Sequence, residues 1–193
     1  MPKVSAIVLA AGLSRRMGSE NKLFLPVQGK PMLLHGLEQI ERSNIQELIV
    51  VTSERSIAGI PEKYQPILNP DYEKGMTTSI QKGVAAATAS NGYMICLGDQ
   101  PTIKTEDYDQ IIRAFDQAYA KDTKSIVVPF HEGKRGNPVI FSASYKTEIL
   151  NHQNMEGCKG IIQENAQHIV RVSLSNAGIL TDIDTPEDYK AMP

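Results

Sequence analysis

The residues best suited to chemistry stand in short stretches spread along the chain. In VLAAGLSRRMGSENK, Val8 to Lys22, an apolar run stops at Ala10, Ala11 and Gly12, and Ser14, Arg15, Arg16, Gly18 and Lys22 follow. Small residues let phosphate oxygens approach backbone N–H groups, and Arg16 and Lys22 can then neutralise a polyphosphate. This is not the phosphate loop that ends Gly-Lys-Ser/Thr, because Gly18 is followed by Ser19, Glu20 and Asn21. The spaced glycines of a dinucleotide site are also missing. A strand ending in a solvated basic turn fits the same residue types equally well.

Carboxylates supply the second kind of chemistry. Asp99 in CLGDQP is a natural Mg2+ ligand, since Mg2+ in phosphate sites takes few carboxylates together with substrate oxygens. Its plainer reading is a turn aspartate near a proline. In LTDIDTPEDYKAM, Thr185, Pro186 and Asp188 read as the capped start of a helix. Asp182 and Asp184 are left without a capping duty, and in an extended segment they share a face. Either can join Asp99 on a metal, or both are surface acids favoured by the helix dipole.

Two more stretches offer recognition. NPDYEKGMTTSIQKG places Thr77, Thr78 and Ser79 in the first turn of a helix after Gly75, where hydroxyls and free N–H groups can hold a ribose or base edge, or simply cap the helix. GKRGNPVIF sets Lys134 and Arg135 between glycines ahead of Asn137-Pro138, an acceptor-binding loop with an anion contact or a basic hairpin turn. Among the histidines, His35 reads as structural, His131 is a weak candidate for substrate contact, and His152 and His168 carry no signal. No Ser-His-Asp order stands out.

The elements that must position these groups alternate. VSAIVLA, QELIVVTS, YMICLGD and KSIVVPF read as buried strands, and YQPILNP as a short one. Between them lie helical patterns: PMLLHGLEQIERS with Pro31 at its start, MTTSIQKGVAAATAS, and TEDYDQIIRAFDQAYAK with Thr105 as N-cap. Such alternation predicts a parallel sheet covered on both faces. Gly12 and Asp99 then fall at the carboxyl edge, where open α/β sheets bind ligands. After Phe130 the rhythm changes to a loop, a strand that could run antiparallel, two short helices and the strand HIVRVSL.

A chain of 193 residues without repeat, linker or low-complexity segment is read as one domain, 1–193. A net charge of −2 without a basic block argues against nucleic acid as a partner. The run Val4–Ala11 after Lys3 is short for a signal peptide and far too short to span a bilayer, so a cytoplasmic protein with no membrane partner is expected. Cys96 and Cys158 are far apart, in no metal-like spacing, and Cys96 lies in an apolar run, which suits a reducing compartment.

Taken together and in order, LAAGLSRRMGSENKLFLP, NPDYEKGMTTSI, LGDQP, RGNPVIF and DIDTPEDY resemble the molybdenum cofactor cytidylyltransferases, members of the nucleotidyltransferase superfamily. The resemblance covers nearly the whole chain. It implies a Rossmann-like three-layer α/β/α fold whose mostly parallel sheet carries an antiparallel strand in its C-terminal part. It implies transfer of CMP from CTP to the terminal phosphate of molybdenum-bound molybdopterin, with release of pyrophosphate. Leu9, Ala10, Ala11, Gly12, Ser14 and Ser79 would then bind the nucleotide, and Lys22 and Arg16 would grip its phosphates. Asp99 and Asp184 would hold Mg2+ (or Mn2+), and Arg135, Gly136 and Asn137 would meet the acceptor. The N-terminal part would serve the nucleotide and the C-terminal part the acceptor. Guanylyltransferase relatives typically carry glycine at the second alanine, so Ala11 favours cytosine. A molybdenum hydroxylase such as a xanthine dehydrogenase would receive the product.

One departure stands out. EGCKGII lies where the family often shows Gly-Asp-x-Gly-Ala-Arg, so Cys158, Ile161 and Ile162 bear on acceptor contacts. Two rival readings stay open: a nucleotidyltransferase acting on methylerythritol phosphate or a sugar phosphate, and a non-catalytic cofactor-binding maturation protein.

Overall fold

Strand β1 (Val4–Ala10) is buried along nearly its whole length and lies between two parallel neighbours, as its unbroken apolar run requires. The computed structural model describes residues 2–13, 21–88 and 90–191. After β1 come the short ribbon β2 (Pro26–Val27) and β3 (Lys30–Pro31), then α1 (Met32–Glu41), β4 (Glu47–Thr52), β5 (Ile67–Leu68) and α2 (Met76–Ala86). β6 (Gly92–Leu97), α3 (Thr105–Tyr119), β7 (Ile126–His131), β8 (Lys134–Arg135) and β9 (Val139–Ser142) follow. The last elements are α4 (Lys146–Asn151), α5 (Lys159–Glu164), β10 (Ile169–Ser173) and α6 (Pro186–Lys190).

The main sheet has the order β10-β7-β9-β6-β1-β4-β5, with β8 paired to β7. β1, β4, β5 and β6 run parallel, as do β7 and β10. β9 lies antiparallel between β6 and β7, so the change of rhythm after Phe130 does mark a reversed strand. Alternation along β1 divides the core. Ala6, Val8 and Ala10 face Leu33 and Leu37 of α1 and Tyr108, Ile111 and Phe115 of α3. Ile7 and Leu9 face Ile80 and Val84 of α2, with Ile149 of α4 and Ile161 of α5 in the same cluster. Each large apolar side chain buried this way contributes roughly 1.5–3 kcal/mol.

Thr105 is not the cap of α3. Lys104 holds the extended cap conformation, and its N–H donates to Asp107 Oδ2 at 2.9 Å. The Thr105 hydroxyl instead donates to Gln39 Oε1 at 2.7 Å, which ties α3 to α1. Thr185 does cap α6, with a reciprocal bond pair to Asp188.

The register sets the functional edge. Leu9 of β1 pairs with Leu97 of β6, and the Gly98 N–H donates to Leu9 O at 3.1 Å. A Cβ on Gly98 would stand 2.8 Å from that oxygen, so glycine lets the two strand ends stay together. Gly12 and Asp99 leave the sheet side by side.

Candidate active site

Asp99, Lys22 and Asp184 arrive from three separate segments and meet at this edge. Lys22 opens a short 3-10 turn whose entry is capped by Asn21, with the Leu23 N–H donating to Asn21 Oδ1 at 3.2 Å. Asn21 Nδ2 in turn donates to Ser56 Oγ at 2.7 Å. The turn sinks Leu23 into the core and leaves Lys22 only 9% exposed. Asp184 is held from both sides. The preceding Ile183 is buried and its N–H donates to Asp99 O at 3.2 Å, while the Asp184 N–H donates to Asp188 Oδ2 at 3.1 Å. The cap of α6 thereby positions a carboxylate of the site.

Lys22 Nζ donates to Asp99 Oδ2 at 2.5 Å and to Asp184 Oδ1 at 2.6 Å. Burial works against the lysine's charge, but Asp99 and Asp184 outweigh it and the amine's pKa is raised. Asp182 stands nearby at the exposed rim and accepts from Gln100 Nε2 at 2.7 Å. Partial burial, then the charges of Asp99 and Asp184, hold its carboxyl above the usual range, against the pull of the Gln100 bond. Asp99 Oδ1 is buried and has no hydrogen-bond partner among the described residues. An unmet anionic oxygen beside a second carboxylate is the donor chemistry of a hard divalent cation, so Asp99 and Asp184 fit Mg2+ or Mn2+. No cluster of three His, Cys, Asp or Glu side chains arranged to hold a metal occurs among the described residues, so substrate oxygens would complete the coordination.

A cleft of about 520 Å³ opens over these groups, walled by Leu9, Ala11, Gly12, Lys22, Ser79 and Asp99 among others. Ala10 is fully buried in the opposite cluster and lines no wall of it. Ser79 is buried in the first turn of α2, where its hydroxyl accepts from Asn69 Nδ2 at 3.0 Å and keeps its own proton to donate. Thr78 and Thr77 spend their hydroxyls on backbone carbonyls, Thr78 on Gly75 O at 2.9 Å and Thr77 on Asn154 O. Ser14 and Arg16 lie outside the described residues.

A second cleft of about 410 Å³ adjoins the first and shares Met76, Leu97 and Asp182 with it. Arg135, Gly136 and Asn137 line it together, beside Cys158, Val139 and Phe141. Arg135 belongs to a hairpin turned by Glu132 and Gly133, both with positive φ, so the hairpin alternative describes the local structure while the side chain still reaches a cavity. The Gly136 N–H donates to Pro129 O and the Asn137 N–H to Ile179 O, both at 2.9 Å. A Cβ on Gly136 would fall 2.5 Å from Ile179 O, so this loop needs glycine where its backbone is pinned. Cys158 is buried and its thiol is pushed up to about 12, first by burial and then by Glu148, so it remains neutral.

His131 Nδ1 lies 3.0 Å from Leu174 O and His35 Nε2 2.7 Å from Val27 O, so His131 is occupied structurally and takes no part in either cleft. Residue types alone missed Gln100 and Asn69, both buried. Their signal lay in the quoted stretches: Gln100 follows Asp99, and Asn69 opens the segment that leads to Ser79. Glu73 and Tyr72 also stand on the first cleft, and nothing in their spacing distinguishes them from loop residues. No helix among the described residues is long and apolar enough to cross a membrane.

Known proteins resemble this chain in sequence and in fold. The molybdenum cofactor cytidylyltransferase of Escherichia coli (strain K12) is 27% identical over 195 residues, covering 98% of this chain and 95% of that protein. A 2-C-methyl-D-erythritol 4-phosphate cytidylyltransferase of Lachnoclostridium phytofermentans is 28% identical over 190 residues, covering 98% and 68%. The crystal structure of Rv0371c from Mycobacterium tuberculosis H37Rv superimposes with a TM-score of 0.84 at 21% identity over 97% of this chain and 96% of that one. The same protein has a manganese complex that matches with a TM-score of 0.78, again at 21% identity, over 97% and 96%. Residues 6–170 match the MobA-like NTP transferase domain, and the chain belongs to that family of nucleotidyltransferases.

Proposed function

We propose that the protein transfers CMP from CTP to the terminal phosphate of molybdenum-bound molybdopterin and releases pyrophosphate. The observation that carries this reading is the junction of the two clefts: Lys22, Asp99 and Asp184 on one side, Arg135 and Asn137 on the other, and Asp182 in the wall they share. The N-terminal part would hold the nucleotide and the C-terminal part the acceptor. The second cleft's apolar walls, among them Ile80, Ile95, Val139, Phe141 and Ile162, favour a flat, weakly hydrated acceptor over a sugar phosphate.

In the transfer, an oxygen of the acceptor phosphate attacks the α-phosphorus of CTP. The new P–O–P bond forms as the bond to pyrophosphate breaks. A phosphate monoester has a second pKa of about 6, so the nucleophile is largely a dianion at neutral pH and needs no base. That agrees with His35 and His131 being spent on backbone carbonyls. Ala11 and Leu9 bind the cytidine with the Ser79 hydroxyl, while Gly12 lets the triphosphate approach the backbone. Lys22, with Arg16, stabilises the charge of the departing pyrophosphate. Asp99 and Asp184 would hold Mg2+ or Mn2+, which supplies further neutralisation of the triphosphate. Arg135 gives the acceptor phosphate an anion contact, and Asn137 and Gly136 shape its seat. Two buried free thiols, Cys96 and Cys158, suit the reducing cytoplasm, from which a molybdenum hydroxylase such as a xanthine dehydrogenase would collect the product.

The test is pyrophosphate release with Mg2+ and molybdenum-loaded molybdopterin, with CTP, GTP and ATP compared side by side. CTP is expected to be preferred. Absence of release with all three nucleotides would defeat the reading, and release only with methylerythritol phosphate or a sugar phosphate would reassign the acceptor.

A further inference from the structure

Lys22 does more in this arrangement than wait for a phosphate. Its side chain is 11% exposed, and its ammonium contacts Asp99 Oδ2 at 2.5 Å and Asp184 Oδ1 at 2.6 Å, the two groups that fit a divalent cation. A metal ion drawn to those same oxygens would stand against the ammonium and meet like-charge repulsion at contact distance. The two cations therefore compete for one pair of carboxylates.

We propose that Lys22 is a built-in counter-ion that keeps divalent metal off Asp99 and Asp184 until a nucleotide's phosphates draw it away, so that metal enters with the nucleotide and not before it. The inference rests on the reading of Asp99 and Asp184 as the metal carboxylates. Three features support the exchange. Lysine carries its charge on a flexible four-carbon stem with three donors, so its head can turn from the carboxylates to a phosphate without movement of the Lys22–Phe24 turn. Lys22 lines the first cleft, so phosphates placed there are within its reach. Asp99 Oδ1 has no hydrogen-bond partner among the described residues, so Asp99 keeps coordinating capacity that the lysine does not use. Losing the ammonium would leave Asp99, Asp182 and Asp184 with one counter-charge fewer, and such crowding strengthens the pull on a divalent ion. Without metal or lysine, these carboxylates would repel one another across the mouth of the cleft.

The test titrates Mn2+ alone, with no nucleotide or acceptor, into the full-length chain and reads free Mn2+ by electron paramagnetic resonance. Lys22→Met keeps the length of the stem and removes the charge. It is expected to bind Mn2+ about tenfold more tightly than the wild type, the size of effect that one close charge has on a neighbouring ionic equilibrium. Lys22→Arg, which keeps the charge, is expected to bind Mn2+ as weakly as the wild type. Adding Asp99→Asn to Lys22→Met is expected to remove the gain. Equal or weaker binding by Lys22→Met would overturn the proposal, and so would a Lys22→Arg variant that binds as tightly as Lys22→Met. Melting curves check that each variant is folded, and Lys22→Gln carries the same expectation should Lys22→Met fail to fold. Because no nucleotide is present, a flat Mn2+ result leaves the transferase reading to its pyrophosphate assay, and a silent pyrophosphate assay leaves the Mn2+ result standing.

Discussion

The two adjoining clefts are built by different means. The first takes its groups from the ends of β1 and β6, from a capped turn, and from the residue next to the cap of α6. Its centre is ionic, with a nearly buried lysine between two carboxylates. The second is mostly apolar and rests on a hairpin and a loop pinned to Ile179 O, with Arg135 as its basic side chain on that loop. Sheet register and two local caps fix the charged groups of the first cleft, whereas backbone bonds between distant loops fix Arg135 and Asn137 in the second. A common reaction can keep the first while the second changes to suit another acceptor.

That contrast breaks most sharply at Asp99. Asp99→Ala is expected to lower the rate of pyrophosphate release by about 10³-fold or more, the scale seen when a charge-stabilising group is lost from a reaction centre. The far-UV circular dichroism should be unchanged, because Asp99 lies beyond the end of β6. Wild-type rates would remove Asp99 from the proposed metal site and deny the ionic centre of the first cleft a part in the reaction. A smaller effect is expected at Arg135. Arg135→Ala should raise the KM for the acceptor about tenfold, the value of one charge-assisted contact, and leave the KM for CTP unchanged. A rise in both constants would show that the clefts do not divide the substrates between them.

Much of the first cleft was legible in the sequence because its determinants are local. A strand buried on both faces announces itself as an unbroken apolar run, and Thr185, Pro186 and Asp188 form a cap that needs no tertiary partner. The same alternation explains why Ala10 and Ala11 have different fates: neighbouring positions of an extended chain point to opposite sides, and Ala10 falls to the core. Tertiary partners decided the rest. Asp182 and Asp184 are equivalent by spacing, yet Asp184 meets Lys22 and Asp182 meets Gln100. Thr105 looks like a cap but is taken by Gln39, and His131 is taken by a carbonyl more than forty residues away. No local pattern encodes such bonds. The second cleft was legible as an anion-contacting loop or a basic turn, and through the departure at Cys158, Ile161 and Ile162, but not as a cavity, since its apolar walls come from β6, β9, α2 and α5.

The smallest expected effect concerns the wall between the clefts. Asp182 carries a raised pKa through partial burial and the neighbouring charges of Asp99 and Asp184. For a carboxyl with a folded-state pKa above its unfolded value, folding favours the protonated form. The stability linked to that proton is therefore complete below the unfolded pKa and is lost as pH rises through the folded one. At neutral pH the ionised Asp182 opposes folding. Asp182→Asn imitates the protonated carboxyl and can still accept from Gln100. It is expected to raise the melting temperature at pH 7 by about 1–2 °C, a modest gain because Asp182 lies at the exposed rim where solvent screens its neighbours. The gain should shrink as pH falls through the raised pKa and vanish below the ordinary aspartate range. A melting temperature that drops at pH 7 would mean that Asp182 is held by its bond to Gln100 more strongly than it is repelled by the other two carboxylates, and a gain that persists in acid would mean that the gain does not come from its charge. The ionic centre would then end at Asp99 and Asp184, and the shared wall would belong to the second cleft alone.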